Sequence, residues 1–225
     1  MGAFPADSLH ETIHDFHNTP ARYRQLQDAI ARNEAGRLDE VQPEIAFCRQ
    51  YEQEVRALVD ALEQGEIPLR VTHNDTKLNN VLLDSTTMQG LCVIDLDTVM
   101  PGLAANDFGD TVRFGANDCR EDEQDQSRVH FLLPLYQVCV QGFLSQAGPA
   151  LTEQEILTLP WGARLMTLEC GIRFLTDYLQ GDTYFKIERE QHNLDRARTQ
   201  FTLVEQMEQQ WQQMLACSEQ YLNQQ

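Results

Sequence analysis

His73, Asp75, Lys77 and Asn80 stand in the order His-x-Asp-x-Lys-x-x-Asn, and Ile94-Asp95-Leu96-Asp97 follows at the end of the next apolar run. These residue types at this spacing suit phosphoryl transfer. That reaction needs a group to orient and deprotonate an acceptor hydroxyl, oxygen ligands for Mg²⁺, and positive charge against the phosphates. Asp75 is the candidate base. The Asn80 carbonyl oxygen and the Asp95 carboxylate can share a hard cation that takes its other ligands from phosphate and water. Lys77 can point to the transferred phosphate. His73 is read as packing and hydrogen-bonding to hold the loop. Asp97 keeps two readings, a second metal or the backbone amides of the turn after the strand. Asp107 and Asp110, in Asn106-Asp107-Phe108-Gly109-Asp110, are read as capping the next helix and supporting the catalytic loop. The Asp107-Phe108-Gly109 triplet follows no apolar strand, so the metal role is given to Asp95.

The flanking pattern says what must hold these residues. Leu69–Thr72, Val81–Asp84 and Leu91–Leu96 are short, β-branched-rich runs, with 85–90 as a hairpin loop that returns Asp95 beside Asn80. Helical spacing predicts helices over 20–35, 43–64, 127–146, 161–180 and 193–221, and Thr152-x-x-Glu155 has the form of a capping box. The expected fold is α+β and mostly α, with one small β-hairpin presenting the motif. The predicted organisation is an arm at 1–19, a helical segment at 20–68, the loop and hairpin at 69–97 and a helical bundle at 98–225. His10, His14 and His17 fall at i, i+4 and i+7. They are read as part of a mobile or packed arm and not as a metal cluster.

The chain of 225 residues carries a formal charge of −18 and 42% hydrophobic residues. It is long enough for one good core. The charge argues against nucleic acid and anionic membrane surfaces as partners. Six scattered cysteines without a Cys-x-x-Cys pair point to reduced thiols, and no signal peptide is visible, so a cytoplasmic protein is expected.

VTHNDTKLNNVLLD and CVIDLDTVMPGLAANDFGDTVRFGAN resemble the C-terminal lobe of the aminoglycoside phosphotransferase/choline kinase superfamily, whose fold is protein-kinase-like. With GDTYFK…HNLDRARTQ and FHNTPARYRQL they look most like bacterial N-acetylhexosamine 1-kinases, which phosphorylate GlcNAc or GalNAc at the anomeric hydroxyl with ATP and Mg²⁺. The resemblance implies Asp75 as base and Asn80 and Asp95 as metal ligands. It offers Arg113, Tyr184, His192 and Asn193 as sugar contacts. Residues 1–69 supply neither the phosphate-covering loop nor the ATP-binding lysine of the family's N-terminal lobe, so the chain is expected to be a C-terminal lobe alone. Such a chain would turn over weakly, and would self-associate or fold its arm over the surface that the absent lobe covers. Two other functions stay open: a non-catalytic module binding a sugar or a partner chain, and a kinase for an aminoglycoside or choline.

Overall fold

The computed structural model of the chain describes residues 4–224. Three helices, α1 (Thr19–Arg32), α2 (Gln42–Gln50) and α3 (Ala57–Glu63), lead to strand β1 (Arg70–Thr72). Strands β2 (Val81–Leu83), β3 (Gly90–Val93) and β4 (Met100–Gly102) follow. The rest is helical: α4 (Ala104–Gly115), α5 (Leu133–Ala147), α6 (Glu153–Leu179), α7 (His192–Gln209) and α8 (Trp211–Leu222). The expected α+β, mostly helical architecture is therefore what the chain adopts. All six cysteines are free, and no helix among the described residues is long and apolar enough to cross a membrane.

Helix α6 is the spine. Thr152 caps it: its hydroxyl accepts from the Glu155 amide, and the Glu155 carboxylate accepts from the Thr152 amide. The helix begins at Glu153 and continues through Pro160, whereas helical spacing predicts it only over 161–180. One missing backbone hydrogen bond is offset by the burial of Ile156, Leu159, Ala163 and nearly every residue beyond. One core cluster packs α6 against α1, α2, α3 and α7. A second packs α4, α5 and α8 around its first turns.

Two expected helices are broken and a third starts late. The run over 43–64 divides at Tyr51, whose carbonyl accepts from both Glu54 and Val55 amides, so that Tyr51 and Val55 both reach the core. The run over 193–221 divides at Gln210, and Trp211 meets Trp161 edge-on at 5.1 Å. The Arg164 guanidinium lies over both indoles, at 4.5 and 4.2 Å, and pairs with Glu54 and Glu208. The run over 127–146 starts late, because Pro134 fits only a first turn; Phe131 instead bridges to Asn117.

The strands also pair differently from one continuous hairpin. β2 and β3 form it, Val81 opposite Val93. β1 leaves it and pairs antiparallel with β4, Thr72 opposite Met100. The motif therefore lies between two small sheets. The β1–β4 sheet is packed onto the body. The β2–β3 hairpin stands out, with Leu82, Leu91, Val93 and the neighbouring Leu78 and Leu96 all exposed.

The contact that sets the position of α4 is between backbones. A Cβ on Gly162 would lie 2.0 Å from the Ala105 carbonyl oxygen, and one on Gly109 would lie 2.2 Å from the Gly162 carbonyl oxygen. Only glycine at both positions lets α4 and α6 touch. Gly162→Ala must push the helices apart and is expected to cost about 2–3 kcal/mol. A lower urea midpoint at unchanged slope would record this, and an unshifted midpoint would refute the close-contact reading.

Candidate active site

Closeness of α4 to α6 places Asp107, one turn into α4, under the loop that follows β1. Its Oδ2 accepts from the His73 amide at 2.9 Å and its Oδ1 from the Asn74 amide at 2.7 Å. Burial pushes the Asp107 carboxyl above its ordinary range, and these two N–H donors oppose that shift. Asp107 lies inside the helix and caps nothing; its acceptors go to the loop. Asp110, one turn on, pairs with Arg113 at 2.8 Å.

Asn74 adopts the left-handed conformation (φ 62°), which asparagine tolerates better than most residues. Its side chain accepts from the Thr72 hydroxyl and donates to the Thr98 carbonyl. The Thr98 hydroxyl returns a bond to the His73 carbonyl at 2.7 Å. Every polar group around Asn74 is thus committed, and the loop leaves it in one direction.

Asp75 follows. Its Oδ2 accepts from Lys77 Nζ at 2.8 Å and from Asn80 Nδ2 at 2.8 Å. Its Oδ1 has no partner among the described residues. A carboxylate oriented through one oxygen and open at the other is suited to accept a hydroxyl proton. Asn80 is buried, and a second bond from Nδ2 to the Asp75 carbonyl fixes its amide, turning Oδ1 away as an available acceptor.

Asp95 comes back to this loop through the backbone. The Ile94 amide donates to the Asn80 carbonyl at 2.9 Å, and the buried His73 ring donates from Nε2 to the Ile94 carbonyl at 3.1 Å. Asp95 is also left-handed (φ 61°) and exposed, and neither its carboxylate nor that of Asp97 has a hydrogen-bond partner among the described residues. The turn amides therefore do not hold Asp97. Among the described residues no three His, Cys, Asp or Glu side chains converge, so a transition-metal cage is not built here, at the loop or around His10, His14 and His17. Two available hard oxygens, Asn80 Oδ1 and Asp95, instead suit a magnesium ion that takes further ligands from phosphate.

A cavity of about 320 Å³ lies beside the segment before α1, lined in part by Phe16, Arg22, Arg173, Tyr184 and Phe185. Phe16 precedes His17, whose Nε2 lies 2.8 Å from the Asn74 carbonyl, so one wall of the cavity is linked through neighbouring residues to the loop after β1, although no residue of that loop lines it. Arg173 makes no hydrogen bond or ion pair among the described residues and lies 5.5–5.9 Å from the rings of Phe16, Tyr184 and Phe185. Arg22 is held below its ordinary value by burial and then by the positive charge of Arg173. Tyr184 is 72% exposed. Its amide and those of Thr183 and Phe185 donate to the buried Asp177, which presents the ring.

Of the four sequence-derived sugar contacts, only Tyr184 reaches this cavity. Asn193 is buried and donates to Asp177 and Asp182, locking the 180s loop. His192 accepts from the Glu188 amide and faces Asp122. Arg113 is tied to Asp110 and Glu121 in a different small cavity. Sequence reasoning missed Arg173, which sits in an apolar helical stripe with acids at both i−4 and i+4. Those acids, Glu169 and Asp177, are taken by His17, Thr19 and the 183–185 amides.

Residues 6–138 match the family model described as Phosphotransferase enzyme family (APH). That match takes in more than half of the chain and the whole loop and hairpin. The chain belongs to this phosphotransferase family.

Replacing Asp107 by asparagine turns an NH₂ toward one of the two loop amides. The expected loss is about 2–3 kcal/mol in chemical unfolding, together with faster hydrogen exchange at His73 and Asn74. Exchange at those amides unchanged by the substitution would mean that Asp107 does not hold the loop.

Proposed function

We propose that this member of the phosphotransferase family is a small-molecule kinase that moves the terminal phosphoryl group of ATP to a sugar hydroxyl, with N-acetylhexosamines (GlcNAc, GalNAc) as the acceptor class. The observation carrying this reading is Asp75 with one oxygen open, together with a cavity, joined to its loop through His17, that offers two arginines and an exposed aromatic face. Tyr184 can stack on the apolar face of a sugar ring, and Arg173 can donate to its hydroxyl or carbonyl oxygens. In the proposed step the acceptor hydroxyl gives its proton to Asp75 as its oxygen bonds to the terminal phosphorus, and the bond to the ADP oxygen breaks. Asn80 and Asp95 would hold Mg²⁺, which supplies charge neutralisation for the phosphates. Asp97 stands near enough in sequence for a second ion. Lys77 is the one lysine of the loop, and its Nζ pairs with Asp75 at 2.8 Å.

Aminoglycosides and choline are cations. The negative net charge would attract them, but the cavity itself carries Arg22 and Arg173 and no uncommitted carboxylate, so repulsion at contact distance disfavours them. A binding module without transfer has one observation in its favour. The sequence holds only two lysines, Lys77 and Lys186, and the described residues contain no glycine-rich loop to position phosphates.

Sensitive phosphate-transfer assays and calorimetry on the same samples separate these readings. Asp75→Asn is expected to lower kcat by about 10²–10⁴-fold with GlcNAc binding unchanged. Arg173→Ala and Tyr184→Ala are each expected to raise the acceptor KM or Kd about tenfold or more with little effect on kcat. Sugar binding with no transfer, in wild type and variant alike, would establish the module; near-normal kcat in Asp75→Asn would remove Asp75 as base.

The apolar hairpin belongs to the same reading. Leu91 and Val93 lie on one face of the β2–β3 hairpin and Leu82 on the other, and both faces expose apolar side chains, which in this reading are covered by another body. Light scattering of the purified chain is expected to show concentration-dependent association, weakened by Leu91→Lys. A strict monomer at high concentration would argue against a covered face.

A further inference from the structure

His17 lies outside the motif and binds the loop directly. Its Nε2 is 2.8 Å from the Asn74 carbonyl oxygen, the carbonyl of the peptide that leads into Asp75. Its Nδ1 is 3.1 Å from Glu169 Oε1, and the other Glu169 oxygen accepts from the Thr19 hydroxyl at 2.8 Å. The side chains of His17 and Glu169 are 9% and 1% exposed. Both ring nitrogens face acceptors that carry no proton of their own. A neutral imidazole has one N–H, so it can satisfy the carbonyl or the carboxylate and must set a lone pair against the other. Only the imidazolium bonds both.

We propose that His17 is a positioning residue for the catalytic loop: as the imidazolium it ties the Asn74–Asp75 peptide to Glu169 of α6 and so aims Asp75, and the loop slackens when the ring releases its proton to solvent. This rests on the reading of Asp75 as the base only for its consequence in turnover. The other side of Asn74 is already held by Asp107, so residue 74 is clamped between two helices, through its own amide by Asp107 of α4 and through its own carbonyl, by way of His17, by Glu169 of α6.

The charges around the ring agree with this state. Burial alone would lower His17, but the Glu169 hydrogen bond and charge outweigh it and hold the ring above its ordinary value of 6.5. Asp110 adds to the rise from α4, and the half-buried Asp107 of the same helix is near enough to feel His17. Arg173, one turn from Glu169 on α6, is the opposing cation, and it too lowers the Glu169 carboxyl, though less than His17 does. On the same segment His14 is exposed and Asp15 is half-buried. The sign follows: the folded value is raised, so the tie is complete below about pH 6.5 and is lost as pH climbs through the folded value.

The test uses the full chain and needs no turnover. Nitrogen-15 NMR of the imidazole should find His17 carrying both protons at pH 6.5 and titrating above it. Amide protection at His73 and Asn74, referred to unstructured rates at each pH, should fall about tenfold or more across that titration, while Val204 in α7 stays protected. His17→Gln should show the low protection at every pH and no step. A His17 ring neutral at pH 6.5, protection that ignores the titration, or an equal loss at Val204 would each overturn the proposal. If His17→Gln fails to fold, the wild-type titration decides by itself. In an active preparation kcat should fall over the same pH step with acceptor KM unmoved. Absence of turnover would count against the kinase reading, and the NMR result would stand apart from it.

Discussion

The contact between Gly109 and Gly162 governs the site although neither residue is in it. Two helix backbones touch there, and a methyl group on either side would strike a carbonyl within 2.2 Å. Helix α4 is consequently held tight to α6, and Asp107 is held at one depth. From that depth its two oxygens reach two consecutive amides of the loop after β1. Both carboxylate oxygens are hydrogen-bonded and the group is half-buried, so small displacements are costly. A site made of short loops between two-stranded sheets has little rigidity of its own. Its precision comes from the long helices below, transmitted through one carboxylate.

Much of this was legible in the chain. His-x-Asp-x-Lys-x-x-Asn followed by a hairpin and Ile-Asp fixes its own geometry, because the chain separation is short and the hairpin returns the aspartate. The mostly helical class and the Thr152 cap were legible for the same local reason. The rest depends on distant partners. That β1 would leave the hairpin for β4 is not written in Leu69–Thr72, whose residues would suit either neighbour. The breaks at Tyr51 and Gln210 serve Arg164 and the two tryptophans, contacts that span more than a hundred residues from Glu54 to Arg164. His17 looked like one of three histidines on an arm. Its role exists only because residue 169 is a glutamate and residue 74 presents a carbonyl. His192 and Asn193 looked like ligand contacts for the converse reason: a polar residue that builds a loop reads like one that binds a substrate.

Charge gives a sharper account of the site than the net value of −18 does. Acids outnumber bases by two to one, and most of the bases are already committed. Nine arginines have ion-pair partners among the described residues. Of the arginines without one, Arg24, Arg49, Arg120 and Arg128 are exposed and lie in water, where a charge is fully solvated. The two others, Arg22 and Arg173, are partly buried and share one cavity. A half-buried cation without a counter-charge is unfavourable unless something else repays its desolvation. Arg173 has three aromatic rings for partial compensation, and both of its helical acid neighbours serve other groups. The folded chain therefore concentrates positive potential at one place beside the loop, in a molecule whose overall field is negative. In the proposed reading, an acceptor that brings oxygen atoms to that place would be stabilised, and one that brings ammonium groups would not. The choice between acceptor classes rests on which cations the fold leaves without partners, a property that the composition hides and the packing of α1 against α6 creates.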